Sequence, residues 1–140
     1  MAEVTSKNTI SNALFPKSGR LCKKKDIERL FVDGQIFRID DMKIYYRIIK
    51  HNSDNIPCKI LISVPKKQQP LAVKRNKIKR LIREAWRKNK NDLYHMLSHH
   101  DVMLHVAVVI FATNIPAYTE IESKIILTLQ HLINASSKTQ

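Results

Sequence analysis

The sequence predicts an α+β domain: a two-layer α/β sandwich in which three helices pack on a sheet of about four strands. Two observations predict this class. First, helical and strand-like apolar patterns follow one another in the order helix, strand, strand, helix, strand, helix, with a further short strand near residues 35–39. Second, 140 residues suffice for one domain with one modest core. The predicted organisation is a flexible arm at residues 1–19, a single domain at residues 20–134 and a disordered tail at residues 135–140.

The first half of the domain is predicted to hold one helix and two strands. In the segment KKKDIERLFVDG, the apolar residues Ile27, Leu30 and Phe31 share one helix face, and Gly34 stands where a left-handed helix stop is expected. Alternation with a period of two from Met42 to Ile49 predicts a strand with one polar face. The β-branched segment CKILISVP predicts a second strand. Because turn residues connect the two strands, we expect them to form an antiparallel hairpin.

The second half is predicted to hold the clearest helix, a central strand and a packing helix. From Ala72 to about Asn91 the apolar residues fall within an arc of roughly 140°, and the basic residues occupy an adjacent arc. Val102 to Ala112 is β-branched and almost continuously apolar, which is typical of a strand covered on both faces. From Tyr118 to Asn134 apolar residues recur with helical spacing, which predicts a helix that packs on the core.

The charge of the chain favours a polyanionic partner. Lysine and arginine number 25 against 12 acidic residues, which gives a net charge of +13. The stretch from Lys66 to Lys90 contains one acid, Glu84, among its many basic residues. Neighbouring cations without counter-charges repel one another until phosphates approach, so the pattern favours nucleic-acid binding over a merely solvated face. Strands flank the basic helix on both sides, which is unlike a helix-turn-helix and favours RNA.

Several function classes are poorly supported by the sequence. It contains no P-loop, no GxGxxG and no nucleophile elbow, so neither a catalytic residue nor a small-molecule substrate is predicted. Cys22 and Cys58 have no CxxC partner and are expected to be reduced thiols, buried or half-buried. The N-terminal residues lack the features of a signal peptide, and the longest apolar run is too short to cross a bilayer. A cytoplasmic protein without membrane contact is therefore expected.

Two polar patterns have both a structural and a chemical interpretation. Asp40 and Asp41 are adjacent, which is more typical of a turn than of a metal site. His95 and His99 are spaced i, i+4 and would suit a metal on one helix face, but the acid of an HExxH motif is missing. We interpret this segment as the polar end of the long helix and predict no protein-bound metal. His105, within an apolar strand, is predicted to be a hydrogen-bonded core histidine.

The segment LAVKRNKIKRLIREAW resembles the signature of the bacterial ribonuclease P protein subunit, an Arg-Asn-Arg followed by Ile/Val-Lys-Arg-Leu-Ile-Arg. The preceding ISVPKK is similar to the Leu-Ser-Val-Ser-Lys-Lys of that family, and RLCKKKDIERLF to its first helix, so the resemblance covers roughly residues 20–134. Three features differ: Lys77 replaces the last arginine of the triplet, Ile27 stands where many members have phenylalanine, and QQPL lacks the usual glycine. The resemblance implies a sandwich with a left-handed βαβ crossover, against the right-handed default.

The same resemblance implies the function and the contact residues. The chain would be the non-catalytic protein subunit of ribonuclease P, and would assist the RNA subunit in endonucleolytic removal of the 5′ leader from precursor tRNA. It would bind both RNAs and lower the requirement for magnesium, which would be bound mainly by the RNA subunit. The residues implied to bind the RNA subunit are Arg75, Asn76, Lys77, Lys79, Arg80 and Arg83. Those implied to bind the leader or precursor tRNA are Phe31, Tyr45, Lys66, Lys67 and Arg20.

The residues themselves leave two other functions open. A structural RNA-binding protein of ribosomal type would use the same basic helix but would not prefer precursor tRNA to the mature product. A protein-only nuclease would require clustered carboxylates to hold its metal ions, and the sequence shows no such cluster.

Overall fold

A computed structural model describes residues 19–50 and 56–138 of the chain. The predicted arm at residues 1–19 therefore lies, apart from Gly19, outside the described residues. In chain order the elements are helix α1 (Lys24–Asp33), strands β1 (Gln35–Ile39), β2 (Met42–Lys50) and β3 (Cys58–Ser63), helices α2 (Ala72–Asn89) and α3 (Asn91–Ser98), strand β4 (Val102–Ile110) and helix α4 (Tyr118–Lys138).

The four strands form one mixed sheet in the order β1-β2-β4-β3. Strand β2 pairs antiparallel with β1 and β4, whereas β3 pairs parallel with β4. The predicted hairpin between β2 and β3 is therefore wrong. Strand β4 lies between them because all nine of its residues are buried, and a strand this apolar takes the position with neighbours on both sides. The parallel pair makes a βαβ unit with α2 and α3 as its crossover; the left-handed sense of this crossover stays a prediction.

The main core lies between one face of the sheet and helices α2, α3 and α4. The alternation predicted for β2 is confirmed, since Met42 and Ile44 are fully buried in this core. Ile78, Ile82 and Trp86 of α2 pack in the same cluster. These contacts hold α2 with one side against the sheet, which leaves its basic side facing outward.

Helix α1 packs on the opposite face of the sheet. Leu30 of α1 is fully buried and forms a second cluster with Leu21 and with Ala107 of β4. Ile27 and Tyr45 are half-buried against this cluster. The short α1 covers only part of this face, so an accessible surface remains beside it.

The helix count and the end of the last helix differ from prediction. The segment expected as the polar end of a long helix forms the separate helix α3, whose Leu93 and Leu97 are buried in the main core. Helix α4 extends through Lys138, so residues 135–138, expected in a disordered tail, are helical. Ser136 is buried there. The described residues thus contain four helices rather than three, while the α+β class is confirmed.

Gly34 ends α1 for a reason other than the expected one. Its backbone has φ −72° and ψ 158°, which is extended and not left-handed. Instead, a Cβ at this position would overlap the carbonyl oxygen of Leu30 and lie 3.0 Å from that of Tyr46. The glycine is therefore required chiefly because the chain turns back closely on the last turn of α1, and β2 restricts the same space further.

A buried lysine anchors the turn between β1 and β2 to α4. Lys124 donates to Asp41 at 2.8 Å and to Glu120 at 3.1 Å. Burial disfavours the ammonium, but these two hydrogen bonds outweigh it and raise the pKa of Lys124. Asp40, at φ 52°, completes the turn, which confirms the turn interpretation of the two aspartates.

The two thiols lie in different environments. Cys58 is fully buried in β3, as predicted, whereas Cys22 is exposed, which corrects the expectation for that residue. The cause is the orientation of the segment before α1: the amide of Leu21 donates to the carbonyl of Ile60 at 3.0 Å, and the Leu21 side chain turns inward beneath α1.

Candidate RNA interface

One face of α2 carries a row of residues that can contact phosphates. One side of the helix carries two adjacent rows with a spacing of four residues. They are Arg75, Lys79 and Arg83 in one row and Asn76 and Arg80 in the other, here together called the basic stripe. Asn76 and Arg80 are exposed; the other three are half-exposed. The sequence prediction of a coherent basic face on α2 is confirmed.

The basic stripe has no acidic partner among the described residues. Glu84, the acid of this helix, pairs instead with Arg87 at 2.5 Å and with Lys88 at 3.8 Å. The hydrogen bond to Arg87 lowers the pKa of Glu84 and raises that of Arg87. The charge of Arg87 and Lys88 is thereby partly compensated, whereas that of the basic stripe is not.

Arg20 joins the basic stripe across a groove at the edge of β3. The groove has a volume of about 230 Å³. Its cationic lining is Arg20, Lys79 and Arg83, and its floor includes Ile60 and Ile62 of β3. Burial, and secondarily the charge of Arg20, lowers the pKa of Arg83. Three cations held around one groove repel one another, and a bound anion would relieve this repulsion.

Arg75 contributes to the site in a way that the sequence did not reveal. Its guanidinium donates to the backbone carbonyls of Gln69 at 3.0 Å and Pro70 at 2.8 Å. Gln69 is buried, and its side-chain amide donates to the carbonyl of Thr113. Arg75 and Gln69 therefore fix the loop that leads into α2 and set where the basic stripe begins. No sequence signal identified Gln69, because a glutamine in a polar loop is ordinarily exposed.

Lys77, the other predicted RNA-binding residue of α2, lies beside the basic stripe and outside it. It is exposed, but it precedes Arg83 by six positions, which places the two about 120° apart around the helix axis. The structure thus brings Lys79 and Arg83 together with Arg20 and leaves Lys77 on the flank.

The two aromatic residues predicted to bind the leader are in contact beside α1. The rings of Phe31 and Tyr45 meet edge to face with centroids 4.5 Å apart, and Phe31 is 37% exposed. Lys43 Nζ lies 5.2 Å from the centroid of the Tyr45 ring. We call these three residues the aromatic cleft. Lys43 was absent from the predicted site, although its place on the same strand face as Tyr45 was a signal that could have included it.

The three remaining predicted leader residues fall into two places. Lys66 and Lys67 are exposed in the turn region after β3. Ser63, the last residue of β3, and Lys43 of β2 are both register partners of Val109 in β4. Lys66 and Lys67 therefore follow β3 at the same end of the sheet as Lys43. Arg20, by contrast, lies beside the basic stripe. Arg20 therefore groups with the residues predicted for the RNA subunit.

The described residues do not gather a metal cage. Within residues 19–50 and 56–138, no group of three or more His, Cys, Asp or Glu could hold a metal ion. His105 is buried in β4, as predicted, and Arg47 and Lys59 are its register neighbours on the adjoining strands. In the same part of the chain, none of the helices is both long enough and apolar enough to span a bilayer.

Comparison with known proteins decides the family. The family model described as Ribonuclease P matches residues 15–129, which include α1, the whole sheet, the basic stripe and most of α4. The chain belongs to the ribonuclease P protein family. Its similarity to individual members extends over most of their length. The ribonuclease P protein component of Porphyromonas gingivalis is 32% identical over 106 residues, covering 76% of this chain and 77% of the relative. That of Chlorobaculum tepidum is 33% identical over 132 residues, covering 89% and 85%.

Solved structures of ribonuclease P proteins share the fold. The Staphylococcus aureus protein superposes with a TM-score of 0.60 at 24% identity, covering 86% of this chain and 96% of that one. The Thermotoga maritima protein gives a TM-score of 0.61 at 20% identity, covering 80% and 96%. As a member of this family, the chain is a protein subunit of ribonuclease P. It works with the ribonuclease P RNA, which carries the catalysis, in tRNA 5′ processing.

Proposed function

We propose that the basic stripe and Arg20 bind phosphates of the ribonuclease P RNA, and that the aromatic cleft binds the single-stranded 5′ leader of precursor tRNA. The observation that carries the proposal is the groove between Arg20, Lys79 and Arg83, where three cations converge without a carboxylate partner from residues 19–50 or 56–138. Such an arrangement costs free energy in the free protein and is relieved by a polyanion.

The chemistry of the basic stripe suits folded RNA. The guanidinium groups of Arg80 and Arg83 can each hold a phosphate through two parallel hydrogen bonds. Asn76, between them on the helix face, can donate to and accept from a base edge or a 2′-hydroxyl. Arg75 has two backbone partners already, so it acts chiefly as a positioning residue. Lys77 supplies a phosphate contact at the flank.

The aromatic cleft suits unpaired nucleotides. Phe31 and Tyr45 offer ring surface for stacking of a base, which is worth ~1–3 kcal/mol per base in single-strand binding. Lys43 can pair with a backbone phosphate beside the stacked base. Lys66 and Lys67 would extend the phosphate path at the same end of the sheet. Ile27 is a half-buried residue of α1 that packs against the second cluster, and it would add apolar contact only.

The magnesium ions needed for cleavage are proposed to bind mainly to the RNA subunit. Magnesium requires oxygen ligands, and the described residues do not cluster three carboxylates for it. Cations of the protein that neutralise crowded phosphates would reduce the number of metal ions needed for the same purpose, so the protein would lower the magnesium requirement of cleavage. We propose that the protein acts in the cytoplasm, together with its two proposed RNA partners.

The first test of the proposal compares two basic residues of the same helix. Arg80→Ala removes an uncompensated cation of the basic stripe, whereas the matched control Lys88→Ala removes one that pairs with Glu84. Affinity for ribonuclease P RNA is measured over a range of salt concentrations. Arg80→Ala should weaken binding and reduce the slope of log affinity against log salt by about 1. Lys88→Ala should change both much less. Equal effects of the two variants would contradict the assignment of the basic stripe.

The second test separates leader binding from general RNA binding. We expect Tyr45→Ala to weaken binding of precursor tRNA to the reconstituted holoenzyme by about tenfold, the loss of one base stack, and to leave binding of mature tRNA unchanged. The matched control is Tyr118→Ala, which changes a half-buried tyrosine on α4, away from the aromatic cleft. If the wild-type protein shows no preference for precursor over mature tRNA, the role is that of a structural RNA-binding protein.

A further inference from the structure

We propose that His95 and His99 form a two-histidine site for a divalent transition-metal ion of the zinc, nickel or cobalt class. His95 lies on α3, His99 is the C-cap residue that follows it, and both are exposed. Neither belongs to the basic stripe or to the aromatic cleft. The proposed site is therefore independent of the RNA contacts proposed above.

The geometry of the pair is that of a chelate. The two Nε2 atoms are 3.2 Å apart. The ring centroids are 4.5 Å apart, and the ring planes are inclined by 80°. Two histidine nitrogens that bind zinc at ~2.0–2.1 Å in neighbouring tetrahedral positions lie about 3.3–3.4 Å from each other. The two nitrogens therefore lie at a chelating separation, and the exposed rings need only rotate until both lone pairs point at one metal ion.

The fold holds this pair in place from the other side of the helix. Leu93 and Leu97 of α3 are buried in the main core, so the helix backbone is fixed beneath the histidines. The hydroxyl of Ser98 donates to the carbonyl of His95 at 2.7 Å, and the amide of His99 donates to that of Met96 at 3.2 Å. These bonds define the last turn of α3, where His99 is the C-cap. The metal would bind to a preformed pair, which reduces the entropic cost of binding.

The same distance also fits a hydrogen bond in which one imidazole N–H donates to the other ring. In that state the bridging proton occupies the place of the metal ion. Imidazole must be neutral to bind a metal, so the ion and the proton compete for the pair. The two states make opposite predictions for metal titration, which provides the test.

The ligand set selects the class of metal. Imidazole nitrogen suits zinc, nickel, cobalt and copper, whereas magnesium prefers carboxylate, carbonyl and water oxygens. Among the described residues no third His, Cys, Asp or Glu completes a group around a metal. The remaining coordination positions would be filled by water or by an external ligand. Binding should accordingly be weaker than at a closed structural site with four protein ligands.

The experiment is calorimetric titration of the tag-free full chain with nickel chloride, with magnesium chloride as the comparison ion. We expect nickel to bind with about one ion per chain and magnesium not to compete. His95→Gln and His99→Gln should each weaken nickel binding at least about tenfold, since even the loss of an outer-sphere partner costs that much. The matched control is His100→Gln, which changes the next exposed histidine outside the i, i+4 pair and should leave binding unchanged.

A second measurement does not depend on any variant. Hydrogen exchange of the wild-type chain should slow in the amides of α3 when nickel is added, because a chelate across one turn closes that turn. Absence of nickel binding, or binding that both single variants retain, would overturn the proposal. Loss of binding in His100→Gln, or exchange that slows elsewhere and not in α3, would overturn it as well.

Discussion

Three arginines of α2 have the same charge and different partners, and the partners decide what each can do. Arg87 is paired with Glu84, and Arg75 is held by the carbonyls of Gln69 and Pro70. Arg83 faces Arg20 across the groove, and none of the acids in the described part of the chain forms an ion pair with it. An arginine whose donors are unused can bind an external phosphate without first breaking a bond. Arg83 is therefore the residue of the three best suited to RNA.

The two cysteines should differ in reactivity for a reason set by burial. Burial raises the pKa of the Cys58 thiol to about 12 from 9.0, so at about pH 8 it stays protonated and covered. Cys22 is exposed. A disulfide reagent such as dithionitrobenzoate should modify one thiol of the native chain rapidly and the second only in denaturant. In Cys22→Ser, the rapid phase should disappear. Rapid modification of two thiols in the native wild-type chain would contradict the placement of Cys58.

The same shift contributes to the pH dependence of stability. Because the folded pKa of Cys58 is raised, its contribution is fully present below pH 9.0 and is lost as pH rises toward about 12. The free energy of unfolding should therefore fall with pH in that window.

The two faces of helix α2 should respond differently to mutation, because one face is buried in the core and the other is exposed. Ile82 is fully buried, so Ile82→Ala should lower the free energy of unfolding by ~2–5 kcal/mol through the cavity that it leaves. Arg80→Ala changes an exposed position and should alter it by less than about 0.5 kcal/mol. Urea unfolding of both variants measures the difference. Comparable destabilisation by the two would show that the buried and exposed faces of α2 are misassigned.

The junction of α1 and β1 depends on one small residue. Gly34→Ala would place a Cβ against the carbonyl oxygens of Leu30 and Tyr46, so the last turn of α1 and the start of β1 must rearrange. We expect destabilisation of ~1–3 kcal/mol, the usual cost of overpacking. Asp33→Ala, at the exposed neighbouring position, is the control and should be nearly neutral. A Gly34→Ala variant as stable as the wild type would mean that the approach of α1 to β2 is looser than described.

Local patterns predicted the elements well but not how the strands pair. The period-two alternation of β2 and the apolar run of β4 identified both strands, because side-chain burial repeats with the geometry of a strand. The order of strands depends on contacts between residues far apart, such as Tyr45 opposite Ala107, which no local window contains. The turn residues between β2 and β3 therefore suggested a hairpin that does not exist. The end of α4 was missed because the polar residues 135–138 carry no apolar pattern.

In the candidate site, too, local sequence patterns predicted the features within one element but not those that depend on contacts between elements. Helical periodicity alone predicted the basic stripe, since its members are close in sequence. The groove was not predictable in this way, because Arg20 reaches Lys79 and Arg83 only through the contact of Leu21 with β3. The resemblance to the family implied that Phe31 and Tyr45 both bind the leader. The structure places their rings in contact between α1 and the sheet, and the leader-binding role stays a prediction.

The net charge of +13 gives the whole molecule a role beyond single contacts. A protein with this excess attracts RNA over distances comparable to the Debye length, ~8–10 Å at physiological salt. In the proposed function, the basic stripe and the aromatic cleft would then provide the contacts that distinguish one RNA from another. Most of the affinity should therefore be salt-dependent, and the preference for a leader should be less so.

As the protein subunit of ribonuclease P, this chain assists an RNA catalyst. Its role is tested by cleavage of a 5′-leader precursor tRNA at low magnesium by ribonuclease P RNA from the same organism, with and without the purified protein. We expect the mixture to cleave, the protein alone not to cleave, and the RNA alone to require more magnesium. Cleavage by the protein alone would place the chemistry in its own residues. Tight RNA binding without any effect on cleavage would make it a structural RNA-binding protein.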